Sequence, residues 1–183
     1  MTPAPHALAD LLAVTMGDAC GIGPEIIAQW WPGGREAVVV GCPKVMARAV
    51  NWMPAGQRPR VRELADLGEV STLAPDEMGV WAPPGLPEDL LDAPLGQVDV
   101  RAGRAAAACI REAVRLAQTG AVAGIVTAPL HKEALALAGE PYPGHTELLQ
   151  AEGSPPGQPP APVRMMLAND QLKTVLVTIH VSL

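Results

Sequence analysis

The sequence predicts an α/β fold of alternating strands and helices, and three observations carry that reading. Apolar runs of strand length occupy residues 11–16, 37–41 and 123–127. Each runs into glycine or proline, the residues that punctuate strands with loops. Segments with helical spacing of apolar residues separate them, as in a chain that crosses back and forth over one sheet.

The elements can be justified in order. Leu11-Leu12-Ala13-Val14-Thr15-Met16 is a buried strand stopped by Gly17-Asp18. Pro24 stands at a first helical position with Glu25 in the first turn, and Ile26, Ile27 and Trp30 return at helical spacing. Residues 37–41 form a second strand, and Pro43 opens a second helix. Residues 54–100, rich in Pro and Gly, predict irregular edge strands and loops, with short segments at 60–62 and 68–73. A helix follows over 103–118. Ala106, Cys109, Ile110, Ala113 and Ala117 mark its apolar face, Arg104, Arg111, Arg115 and Gln118 its polar one, and Gly120 its end. Residues 123–127 read as another buried strand, leading into Pro129 and a helix over about 130–137. Thr146 is the expected N-cap of a helix through Leu148, Leu149 and Gln150. Five prolines within residues 154–162 make a linker or surface loop. Apolar runs at 163–167 and 174–180, joined by a turn at Asn169-Asp170, predict two closing strands.

Composition narrows the function classes. A chain of 183 residues buries one core, or one lobe and part of another. With 49% apolar and 17% charged residues it is not a disordered sequence. A net charge of -6 without a Lys/Arg cluster argues against nucleic acid as a partner. No apolar stretch is long enough to span a membrane, and the first ten residues lack the features of a secretory signal. Cys20, Cys42 and Cys109 are odd in number and form no CxxC pair, which predicts reduced thiols in a cytoplasmic protein.

Four segments can carry chemistry. The glycines of residues 16–25 permit tight turns and close ligand approach, although the spacing fits neither GxGxxG nor a P-loop. An ordinary strand-to-helix turn has the same composition. His131-Lys132 follows a buried strand, where it is either a ligand contact or a solvated helix start. At Gly144-His145-Thr146 a helix start offers free backbone N–H groups, and His145 adds a donor. The alternative is a capped helix with an exposed histidine. His180 lies at the end of an apolar strand; joined with His131 and His145 it would give a triad, which their spacing does not demand.

Taken in order, these segments resemble the 4-hydroxythreonine-4-phosphate dehydrogenase (PdxA) family of vitamin B6 biosynthesis. The resemblance rests on Thr15-Met16-Gly17-Asp18, Gly21-Ile22-Gly23-Pro24-Glu25, Val126-Thr127, Pro129 and Lys132. It continues through Gly139, Pro141, Pro143-Gly144-His145-Thr146-Glu147, Met165-Met166-Leu167, and Thr178 with His180. The resemblance implies a three-layer α/β fold like that of isocitrate and isopropylmalate dehydrogenases, with residues 1–183 as its N-terminal portion and the C-terminal portion absent. It further implies oxidation of 4-phosphooxy-L-threonine with NAD or NADP, and decarboxylation to 3-amino-2-oxopropyl phosphate. A divalent metal (Zn, Mg or Co) would act as Lewis acid. His145 and Thr146 match the family's substrate-binding pair, and His180 the first of three metal-binding histidines. Asp18 and Lys132 fall in family motifs near the cleft without an assigned role. The other metal histidines and much of the cofactor site lie outside this chain, so the resemblance implies a chain inactive alone. The implied partners are a homodimer mate or a complementing C-terminal chain. A non-catalytic binder of phosphorylated ligands and a dehydrogenase for threonate 4-phosphate are the competing readings.

Overall fold

The computed structural model describes residues 10–31, 36–155 and 157–177. Strands β1 (Leu12–Thr15), β2 (Ala37–Val40), β3 (Arg60–Glu63), β4 (Glu77–Trp81) and β5 (Gly124–Thr127) form one sheet in the order β3-β4-β2-β1-β5. Every neighbouring pair is parallel. Parallel pairing requires crossover connections, and helices supply them. Of these, α1 (Gly23–Trp30) packs against α2 (Pro43–Asn51), whereas α3 (Val100–Gln118) crosses β1, β2 and β5. The short helices α4 (Lys132–Leu137) and α5 (His145–Glu152) ride on α3. On β5 the side chains alternate between these two layers. Ile125 packs toward α3, α4 and α5, and Val126 faces Ile26, Ile27 and Trp30 of α1. Helices on both faces of a parallel sheet give the three-layer arrangement expected from the sequence.

The core is aliphatic and rich in methionine. Met16, Met46 and Met78 are fully buried beside Val38, Val39 and Val40, filling space that phenylalanine occupies in other proteins. A second cluster positions the later helices. Ile110 and Val114 of α3 enclose Leu135 of α4 and Leu148 of α5. Gly103 permits the tightest of these contacts, since a Cβ there would collide with the Ala134 carbonyl of α4. Outside the cluster, Arg111 bridges Glu140 and Glu152, tying the end of α5 to α3.

Several expectations need correction. The region 54–100 is more regular than its composition suggests. β4 lies between β2 and β3 as an interior strand with Met78 and Val80 buried, and residues 67–72 form a 3₁₀ helix. Neighbouring Pro and Gly obscured β4, because strand pairing overrides local propensity. Conversely, β5 is not a buried strand. Among the described residues it is the sheet edge, with Val126 45% exposed. Helix α4 begins only at Lys132, and α5 begins at His145 with Gly144 as its N-cap, so Thr146 sits inside the first turn and does not cap. The last two strands have other bounds than expected, and residues 178–180 of the second run lie outside the described residues. An antiparallel hairpin pairs β6 (Met166–Ala168) with β7 (Lys173–Val175), and Asn169 Oδ1 accepts from the N–H groups of Gln171 and Leu172 in its turn. Among the described residues no helix is long and apolar enough to cross a membrane.

Candidate ligand site at the carboxyl end of the sheet

In a parallel sheet the loops leaving the carboxyl ends of neighbouring strands meet on one side, and ligands bind there. Here β1 and β5 are neighbours, and their loops are joined directly. The Asp18 N–H donates to the Pro129 carbonyl at 2.9 Å, and the Ala128 N–H donates to the Thr15 carbonyl at 3.2 Å. Gly17 makes the first contact possible. Its φ is +73°, and a Cβ there would strike the Pro129 carbonyl. A side chain at this position would meet both a left-handed backbone and a wall of main-chain atoms.

Asp18 is nearly buried, and its Oδ1 accepts from the Cys20 N–H at 2.9 Å. Its carboxylate therefore braces the glycine loop from within. Arg48 of α2 adds a second brace by donating to the Ala19 carbonyl at 2.8 Å. Burial pushes the Cys20 thiol above its ordinary range and the Cys109 thiol up to about 12, so both behave as small core residues.

His131 ends β5's loop as the N-cap of α4, its Nδ1 accepting from the Ala134 N–H at 3.4 Å. That contact gives it a structural task, matching the helix-start reading of the segment. Lys132 follows, exposed, and its Cε lies 3.5 Å from where a Cβ on Gly144 would stand. The structure thus brings Lys132 to the start of α5.

His145 opens α5, anchored through Leu148 three residues later. Among the described residues its buried Nε2 has no hydrogen-bond partner. Burial holds its pKa below the ordinary histidine range, against an opposing pull from the Ala128 backbone. The ring is thus neutral at pH 7 and presents an unsatisfied nitrogen next to β5's loop. Thr146 is exposed beside it. Sequence reasoning did not name Thr15 as a site residue; its buried Oγ1, at the end of β1, is also without a partner among the described residues. Its sequence signals were a hydroxyl in an apolar run and its place at the head of the Thr15-Met16-Gly17-Asp18 motif.

The metal ligand implied by resemblance, His180, lies outside the described residues. Among the described residues no three His, Cys, Asp or Glu side chains are grouped to hold a metal ion. They do not by themselves make a metal centre.

A parallel, doubly covered sheet whose β1 and β5 loops converge beside a buried histidine defines an α/β protein with a candidate ligand site at its strand ends. Its family follows from comparison with known proteins: residues 34–183 match the model of the pyridoxal phosphate biosynthetic protein PdxA, and the chain belongs to that family. The 4-hydroxythreonine-4-phosphate dehydrogenase of Beijerinckia indica is 46% identical over 94% of this chain and 49% of its own length. The D-threonate 4-phosphate dehydrogenase of Pectobacterium atrosepticum is 40% identical over 96% of this chain and 52% of its own. Among solved structures, the 4-hydroxythreonine-4-phosphate dehydrogenase of Klebsiella pneumoniae superimposes with a TM-score of 0.83 at 41% identity, covering 97% of this chain and 52% of that one. The chain spans about half the length of the relatives it matches.

Proposed function

We propose that this chain supplies the substrate-binding part of an NAD(P)-dependent dehydrogenase for a phosphorylated four-carbon hydroxy acid. The observation that carries the reading is the buried, unpartnered Nε2 of a neutral His145 at the start of α5. An unsatisfied buried nitrogen costs about 1–3 kcal/mol, and a substrate oxygen would recover much of it. His145 and Thr146 would bind that substrate, with the α5 backbone N–H groups favouring its anionic groups. Lys132 would add positive charge, and Asp18 would hold the loop beneath. His180 would be one ligand of the divalent metal, the rest of the metal site and the NAD(P) site coming from outside this chain. When bound, NAD(P) accepts the hydride from the substrate's secondary alcohol.

Two substrates fit this class. The first is 4-phosphooxy-L-threonine, oxidised and decarboxylated to 3-amino-2-oxopropyl phosphate. The second is D-threonate 4-phosphate, suggested because relatives of comparable identity carry that name. They differ by an amino against a hydroxyl group. The test is to co-express the chain with the complementary half of the Beijerinckia indica relative and follow NAD(P)H absorbance with each substrate. Turnover of one substrate, lowered at least tenfold by His145→Ala, is the expected result. Wild-type turnover unaffected by His145→Ala would overturn the site assignment. Binding without turnover would favour the non-catalytic reading.

A further inference from the structure

We infer that Arg111 of α3 is a positioning residue of the candidate ligand site: its guanidinium clamps the two segments that flank Gly144-His145-Thr146 and so fixes where α5 begins. This rests on the reading of His145 as a ligand contact.

The helix needs such a clamp. α5 is eight residues long, too short to persist on its own, and among its residues only Leu148 is buried. The segment that enters it, Glu140-Pro141-Tyr142-Pro143-Gly144, belongs to no helix or strand. Packing at Leu148, with Leu149 and Tyr142 beside it, sets how deeply α5 sits against α3. Apolar packing is non-directional, so the rotation and slide of α5 have to be set by polar contacts.

Arg111 supplies that direction. Its Nη1 and Nη2 donate to the two carboxylate oxygens of Glu140 at 2.8 and 2.6 Å, and its Nε donates to Glu152 at 2.8 Å. Glu140 lies just before the entering loop, and Glu152 is the last residue of α5. One planar group on α3 therefore holds both ends of the segment that carries His145. Farther along α3, Gln118 adds a bond from Nε2 to the Glu152 carbonyl at 3.0 Å.

These contacts differ from loose surface pairs. The Glu140 side chain is 13% exposed and that of Glu152 31%, so water competes weakly for either carboxylate. Lysine could not reproduce the arrangement, because a single ammonium lacks the fork that meets one carboxylate at both oxygens while reaching a second. The base is also firm, since α3 spans Val100–Gln118 and is buried along its length. With the clamp closed, the His145 ring stays buried beside the loop of β5. Opening it would let α5 turn and admit water to the ring.

The test compares Arg111→Met and Arg111→Lys with the control Arg104→Met, an exposed residue of the same helix without an ion pair among the described residues. In the chain alone, Arg111→Met should speed exchange of the Leu148 and Gly153 amides by about tenfold or more, while residues 105–116 and Leu12–Thr15 stay within about twofold. Carbethoxylation of His145 by diethyl pyrocarbonate should accelerate by a similar factor, with His131 unchanged. Arg111→Lys should recover little of either, and Arg104→Met should match the wild type. With the complementary half of the Beijerinckia indica relative co-expressed, Arg111→Met should raise KM by about fivefold or more and leave kcat nearly unchanged. Unchanged exchange in α5, an equal loss of protection in α3, or full rescue by Arg111→Lys would overturn the proposal. So would a KM unchanged in Arg111→Met but raised in His145→Ala. If neither variant changes KM, the reading of His145 fails, and the exchange and modification rates still decide for or against the clamp.

Discussion

At one edge of the sheet β3 presents Arg60, Arg62 and Glu63, while at the other β5 presents Ile125 and Val126. The β3 edge is tied into a charged lattice. Arg60 meets Asp76 at 2.8 Å and Glu77 at 3.5 Å, and Arg62 meets Glu69 at 3.2 Å. Such exposed pairs contribute little stability, but a row of charges on an edge discourages another strand from adding to it. β5 has no such row. One edge has the composition of a terminus and the other that of an interior strand. The chemistry follows the second, because the candidate ligand site lies at the carboxyl end of β5, among Asp18, Lys132 and His145.

The comparison can be broken most forcefully at Gly17, which seats the glycine loop on the β5 loop. Gly17→Val should destabilise the chain by about 3 kcal/mol, combining left-handed backbone strain with a main-chain collision. Urea unfolding checks this, and a loss below about 1 kcal/mol would mean the two loops separate without consequence.

A smaller effect is expected from His145. Its folded pKa lies below the unfolded value, so the unfolded chain takes up a proton first as pH falls. The stability contributed by keeping the ring neutral is present above about pH 6.5 and is lost as pH falls through the folded pKa. Melting temperatures between pH 7.5 and 5 should decline more steeply for the wild type than for His145→Gln. Parallel curves would place the histidine in solvent.

The smallest effects on stability separate the two edges themselves. Val126→Lys and Arg60→Ala should each leave the urea midpoint of the isolated chain nearly unchanged. Their effects on aggregation should be opposite: Val126→Lys raises solubility by charging an open apolar edge, whereas Arg60→Ala lowers it by uncovering a protected one. Sedimentation of both variants decides the matter. Equal behaviour would erase the distinction between the edges.

The sequence by itself determined the elements whose pattern is local. Apolar runs marked β1 and β2, Pro24 and Pro43 marked helix starts, and the arginine face of α3 separated from its alanine face at helical spacing. Ordered motifs around Gly17, Gly144 and His145 also sufficed to indicate the family. Tertiary structure alone decided which strands were interior. β4, flanked by Pro and Gly, became central by pairing with β2 and β3, and the more apolar β5 was left at the edge. It also decided what each candidate side chain does. Asp18 turned inward to brace its loop, His131 capped α4, and His145 was left with a buried nitrogen unsatisfied. The physical reason is common to all of these. Propensity and periodicity act over a few residues, whereas burial, strand order and hydrogen-bond satisfaction depend on segments such as β1 and β5, more than a hundred residues apart, meeting in space.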